Sequence, residues 1–204
     1  MSGDASITFT CNVCGARCTA RHDQIGRELP SCRGCGSTVR MRSIVHALSV
    51  ALFGRCLPIH QFPTAPRKQG IGTSDWHGYA DRLAQRLDYR NTFYHQEPRL
   101  DLCDGAGWPS GELDFVTSTD VFEHVAPPVD RAFATVRRLL KPDGVFVFSV
   151  PYSLEPHTVE HFPELFEWRV ERPVGKPPLL VNRTHDGREQ RFAELVFHGG
   201  EGAT

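Results

Sequence analysis

The chain lacks anything long enough and apolar enough to enter a membrane. Its longest clean apolar run, residues 145–148, extends past Ser149 only to Val150, far short of the roughly 20 residues a bilayer span needs. Residues 1–10 carry Asp4, no basic cluster and no apolar stretch, so no secretory signal is visible and a cytoplasmic location is expected. Net charge is nearly absent too, with 23 Lys and Arg against 24 Asp and Glu leaving −1. No overall field therefore draws the chain to nucleic acid or anionic membrane, and such contact would need a local patch. There is no internal repeat and no low-complexity tract. What is present is ordinary globular material, with 204 residues, 40% hydrophobic and 23% charged, and 13 Phe for a core. This is enough for one domain, or one domain with a small appendage.

The first forty residues have no periodic apolar segment and must be held by something other than a core. They hold five of the seven Cys, between positions 11 and 35, the wrong distribution for an extracellular disulfide framework. Cys11-Asn12-Val13-Cys14 and Cys32-Arg33-Gly34-Cys35 form two Cys-x-x-Cys knuckles separated by residues 15–31. That spacing suits a four-thiolate zinc site with Cys11, Cys14, Cys32 and Cys35 as ligands, closed to water and therefore structural. Gly15 and Gly36 follow the knuckles and allow the tight turns that aim backbone N–H groups at thiolates. Cys18 is a spare that could replace Cys14, and a redox pair is the competing reading of either knuckle. Arg33, Arg40 and Arg42 cluster nearby, but Asp23 and Glu28 offset them and no aromatic platform is interleaved, which argues against nucleic-acid contact.

Residues 1–39 thus read as a zinc ribbon. Residues 40–68 read as a helix and a Pro-rich connector: Met41, Ile44, Val45, Leu48, Leu52 and Phe53 recur at helical spacing, Gly54 stops them, and Pro58, Pro63 and Pro66 follow. From 69 to 204 strand and helix alternate. Expected strands cover Gly70 to Gly72, 91–95, 99–102, 113–119 and 145–150. Expected helices carry the stripes Tyr79, Ala80, Leu83, Leu87 and Val129, Ala132, Phe133, Val136, Leu140, and Lys141-Pro142-Asp143-Gly144 is a turn signal. Residues 151–191, with Pro151, Pro156, Pro163, Pro173, Pro177 and Pro178, read as a long functional loop or lid. Residues 192–198 read as one more strand. The fold class is α/β, an open sheet with helices on both faces whose ligands bind beyond the carboxyl ends of its strands.

The segment LDFVTSTDVFEHVAPPVDRAFATVRRLLKPDGVFVFSVPY, residues 113–152, resembles the fourth and fifth strands of class I S-adenosylmethionine-dependent methyltransferases. Together with the knuckles, the chain resembles a methyltransferase with a Rossmann-like sheet preceded by a zinc ribbon. The resemblance implies S-adenosylmethionine as cofactor beside structural zinc, and a small-molecule or glycan acceptor. It implies a glycine-rich turn after the first strand at Gly70, Gly72, Ser74 and Asp75, although Lys68 and Ser74 replace the usual acidic residue and third glycine. A turn capped at a helix N-terminus by Ser74 or Asp75 is the competing reading. Glu97 would take the ribose hydroxyls, Asp101 the adenine amino group, and Thr119 and Asp120 would line the cofactor site. Glu123 and His124 are the acid–base candidates. Tyr152, His157 and His161 would contact the acceptor, with His157, Glu160 and His161 a weaker candidate metal group. The family closes its sheet with two antiparallel strands after the fifth, and the chain is expected to have room for only one of them. An open sheet edge would then favour association. Two other functions fit the same residues: a degenerate scaffold in a biosynthetic complex, and an RNA methyltransferase, which the charge of −1 disfavours.

Overall fold

The computed structural model describes residues 5–125, 128–152, 155–157, 162, 164–193 and 195. The chain divides into two compact units, one of residues 1–125 with 129–151 and one of residues 126–128 with 152–204.

In the first unit, β1 (Ser6–Thr10) and β2 (Arg17–Arg21) pair antiparallel from Ser6↔Arg21 to Thr10↔Arg17. The first knuckle fills their connection, where Gly15 N donates to Cys11 O at 2.7 Å. The second repeats the geometry, with Gly36 N donating to Cys32 O at 2.8 Å. Gly15 and Gly36 both have left-handed backbones, φ +80° and +75°, which glycine adopts without a Cβ clash. Helix α1 (Val39–Phe53) starts two residues before its apolar stripe because Thr38 caps it, accepting from Met41 N. It ends at Gly54, as expected, in a left-handed cap.

A parallel sheet follows: β3 (Gln69–Thr73), β4 (Asp88–Thr92), β5 (Leu113–Thr119) and β6 (Leu140–Ser149), in the order β4-β3-β5-β6. Alternate residues of β5 face opposite sides. Phe115 joins Val45 and Leu48 of α1 with Tyr79 and Leu83 of α2 (His77–Arg86), and the ribbon residues Cys11, Val13, Cys18 and Cys32 share that core. Val116 joins Ile71 with Ala132, Val136 and Leu139 of α3 (Asp130–Leu139). Helices therefore cover both faces. The ribbon is built into one face through a common core.

Three expectations need correction. Residues 99–102 are not a strand; the third strand shrinks to a single bridge, Phe93↔Arg99, because the chain turns at Asp101, whose carbonyl accepts from Asp104 N and Gly105 N and whose carboxylate accepts from Cys103 N. The turn signal at 141–144 lies inside β6 as a register irregularity: Leu113 pairs with Leu140 but Phe115 with Val145. Residues 151–191 are not simply a loop. The second unit holds β7 (Glu167–Glu171), β8 (Leu179–Arg183) and β9 (Glu189–Phe192), an antiparallel sheet in which Leu180, Val181 and Asn182 are buried. The Asn182 side chain ties this sheet to the segment before it, donating to Glu164 O and Gln190 Oε1 and accepting from Phe166 N. Among the described residues three strands follow the parallel sheet, the last ending at Phe192; most of the strand expected over 192–198 lies outside the described residues. No helix among the described residues is long and apolar enough to cross a membrane.

Candidate active site and metal centre

The Sγ atoms of Cys11, Cys14, Cys32 and Cys35 all lie within 4.8 Å of one another. Cys11 and Cys35 are 3.8 Å apart, Cys14 and Cys32 3.6 Å, and thiolates bound tetrahedrally at about 2.3 Å from zinc would be about 3.8 Å apart. The quartet fits the ion. Burial raises the Cys32 thiol, but the N–H groups of Cys35 and Gly34 outweigh it and bring it down to about 6. Gly34 has no room for a Cβ, which would lie 3.1 Å from Cys14 Sγ. Cys18 lies beside the quartet, 3.6 Å from Cys32. Of the nearby arginines, Arg40 bonds Glu28, and Arg42 bonds Ser31 and Ser37 O while stacking on Phe9. Those two guanidinium groups are spent on the fold.

The sheet order reverses between β3 and β5, since β4 lies outside one and β6 outside the other. In open α/β sheets the ligand crevice opens at the carboxyl ends of the two strands flanking such a switch. Here those ends are Ser74 and Asp120, each the first residue past its strand, and both have left-handed φ, +55° and +51°. Non-glycine residues take that conformation at a cost of order 1 kcal/mol or more, so the surrounding structure must hold them there.

Gly70 and Gly72 lie within β3, not in the turn beyond it. A Cβ on Gly70 would lie 2.4 Å from the Phe115 ring; one on Gly72 would lie 2.0 Å from Tyr89 Oη and 2.3 Å from Asp75 Oδ2. The glycines make space for their neighbours in the core. Asp75 folds back beneath them, only 4% exposed. Its carboxylate accepts from Tyr89 Oη at 2.8 Å, from Thr117 Oγ1, and from Thr119 Oγ1 at 3.4 Å. Burial pushes the Asp75 carboxyl up, against the pull of Thr117, Tyr79, Tyr89 and Thr119.

The other expected site residues fall as follows. Glu97 is exposed, its Oε2 accepting from Arg99 N at 3.0 Å. Asp101 is half-buried and accepts from Cys103 N at 2.8 Å. Thr119 is buried against Tyr79 Oη. Glu123 and His124 sit on one 3-10 turn, Phe122–His124, with Nε2 of the histidine 4.0 Å from Oε1 of the glutamate. Burial raises the Glu123 carboxyl, and Asp120 adds to that. Tyr152 and His157 are exposed in the second unit, and His161 and Glu160 lie outside the described residues. Arg27, Tyr89, Thr117 and Ser149 were not singled out by sequence. They touch Asp75 or Asp120, and sequence spacing has no signal for contacts so far apart in the chain.

The family described as "Methyltransferase domain" matches residues 29–185, 157 of the 204. The chain belongs to that family. The resemblance read from residues 113–152 is borne out, and so is the Rossmann-like sheet with helices on both faces. Among solved structures, the methyltransferase domain is similar to the DszA carbon methyltransferase, with 15% identity and a TM-score of 0.45, covering 58% of this chain and 38% of that one. It is similar to the trans-methyltransferase CalH in complex with SAH, with 17% identity and a TM-score of 0.36, covering 53% and 38%. A putative S-adenosyl-L-methionine-dependent methyltransferase from Methanococcus maripaludis has 15% identity and a TM-score of 0.37, covering 54% and 56%. The chain thus spans between about a third and just over half the length of these structures. No curated protein matches it.

Proposed function

We propose that the chain is an S-adenosylmethionine-dependent methyltransferase acting on a small-molecule or glycan acceptor, with a structural zinc ion in its ribbon. The observation that carries this is the switch point between β3 and β5 in a chain whose family is the methyltransferase domain. The donor set fits the cofactor in part. Two carboxylates, Glu97 and Asp101, follow β4 and suit a ribose diol and an exocyclic amine, while α2 begins with no side-chain cap and leaves its first N–H groups to a carboxylate. When bound, the cofactor supplies an electrophilic methyl group. The chain's own work is then to align the acceptor and take up its proton. Burial raises the Glu123 carboxyl, and His124 on the same turn is the base, with Glu123 as its partner. With Arg40 and Arg42 spent internally, a small acceptor is favoured over RNA.

The experiment is calorimetric titration with S-adenosylmethionine and S-adenosylhomocysteine. Micromolar binding is expected, and Glu97→Ala should weaken it about tenfold, or about 1.4 kcal/mol, without lowering the melting temperature. Absence of heat in the wild type would overturn the reading. One observation favours a second function: Gly70 and Gly72 are packed shut by Phe115, Tyr89 and Asp75, as in a scaffold that has lost its cofactor. Absence of binding would select it. His124→Ala should lower transfer about 10²-fold while leaving cofactor affinity within a factor of two or so; equal losses in both would reassign His124 to a structural role.

A further inference from the structure

Asp120 is the first residue past β5 at the switch point, and its carboxylate is held by Arg27 of the ribbon segment, Arg40 of α1 and Ser149 of β6. Arg27, in the segment between β2 and the second knuckle, grips it with both terminal nitrogens, Nη1 to Oδ2 at 2.9 Å and Nη2 to Oδ1 at 2.7 Å. Arg40, in the first turn of α1, approaches Oδ2 at 3.2 Å through Nε. Ser149 Oγ donates to Oδ1 at 2.8 Å, Asp120 N donates to Ser149 O at 2.9 Å, and Arg27 Nη2 also reaches Val150 O at 3.1 Å. Glu28 accepts from Arg40 at 2.7 and 2.8 Å and from Arg27, aligning the two guanidinium groups. All three charged side chains are mostly buried, with Arg27, Arg40 and Asp120 at 24%, 17% and 18% exposure. Burial alone would raise the Asp120 carboxyl; Arg27, Ser149 and Arg40 outweigh it and hold the group ionised.

We infer that Arg27 and Arg40 are positioning residues: they hold Asp120 in its left-handed conformation and so fix the turn bearing Glu123 and His124, making the metal-held ribbon a brace for the transferase site. The argument is geometric. Asp120 has φ +51° without being glycine, and a bidentate, charge-assisted grip is the strongest polar contact available to resist relaxation. The turn bearing Glu123 and His124 starts at the next residue but one and is closed by His124 N to Val121 O at 2.9 Å and Val125 N to Phe122 O at 3.3 Å. Phe122 anchors its first residue in the core against Phe133, Phe146 and Phe148, and Asp120 sets the direction of the backbone that leads into it. Arg27 is fixed in turn by its place five residues before Cys32, and its carbonyl accepts from Arg40 N at 3.2 Å. The inference rests on the transferase reading for its consequence, but not for its geometry.

The test uses the full chain, with S-adenosylhomocysteine as probe. Arg27→Ala should keep its zinc and melt within a few degrees of wild type. Amide hydrogen exchange at residues 121–124 should speed up about tenfold and affinity for the probe should fall several-fold. Arg27→Lys, which keeps the charge but loses the fork, should fall between. Arg27→Asp combined with Asp120→Arg should restore part of the exchange protection, which a purely structural arginine would not do. Chelation of zinc should speed exchange at 121–124 in the wild type and add little in Arg27→Ala, since both act through one contact. Unchanged exchange in a folded, zinc-loaded Arg27→Ala overturns the brace. Failure of the wild type to bind the probe overturns the transferase reading alone, because the exchange result stands without it.

Discussion

The purified protein is expected to carry about one zinc per chain, and replacing Cys32 and Cys35 together by Ser should remove both the metal and the fold of residues 5–38. The ribbon has little of its own to stand on. Among the described residues its sheet is two five-residue strands, and such a hairpin is marginal in water without further support. Four thiols converge instead, and structural zinc contributes apparent free energies of about 10–16 kcal/mol in small zinc domains. The damage should spread, because Cys11, Val13, Cys18 and Cys32 share a core with Val45, Leu48 and Phe115. Losing even 5 kcal/mol or so of that support should lower the melting temperature by about 10–20 °C in a chain of this size. Elemental analysis and scanning calorimetry of the wild type and the Cys32→Ser/Cys35→Ser variant check it. A metal-free preparation that melts like the wild type would show that the quartet is no zinc site.

The parts of this molecule that were legible in the sequence are those where chemistry or periodicity acts locally. The convergence of the four cysteines was legible because two Cys-x-x-Cys knuckles each hold a pair of thiols at short reach, whatever lies between. The strand at 113–119 was legible in full because alternate residues enter two different cores, Phe115 one and Val116 the other. The glycines at 70 and 72 were misplaced because a Gly-x-Gly pair looks the same in a loop that cradles a ligand and in a strand crowded by aromatic neighbours. Only Phe115 and Tyr89, more than 40 and nearly 20 residues away, decide between the two. Asp120 shows the limit more sharply. Its identity and position past β5 were read correctly, but its partner Arg27 lies 93 residues earlier, and no local pattern records that contact. β7, β8 and β9 were hidden for another reason: prolines surround two short strands, and the residue that ties the unit together is a buried Asn182, a polar residue that alternation counts as outward-facing.

Gly72→Ala should be among the most destabilising single substitutions in the sheet, although alanine for glycine in a strand ordinarily stabilises by about 0.5–1 kcal/mol through backbone entropy. The added Cβ would lie 2.0 Å from Tyr89 Oη and 2.3 Å from Asp75 Oδ2, so the buried carboxylate and its phenol must both move. Overpacking costs about 1–3 kcal/mol and a buried polar group left without its partner a further 1–3 kcal/mol or so. A net loss of about 1–5 kcal/mol follows once the usual alanine gain is set against these two costs, readable as a shift of the urea midpoint. Tyr89→Phe should rescue part of that loss, because it removes the nearest atom; no rescue would mean that the clash is relieved elsewhere. Asp75 supplies an independent check through pH. Burial raises its folded carboxyl above the ordinary value, so the stability it contributes is complete at low pH and falls as pH climbs from the unfolded value through the folded one. Asp114 and Asp120, held low by their partners, act in the opposite sense, losing stability as pH falls. The difference between wild type and Asp75→Asn isolates the Asp75 contribution. The variant should gain on the wild type as pH rises above about 4, and a constant difference across that window would show that burial does not raise the Asp75 carboxyl.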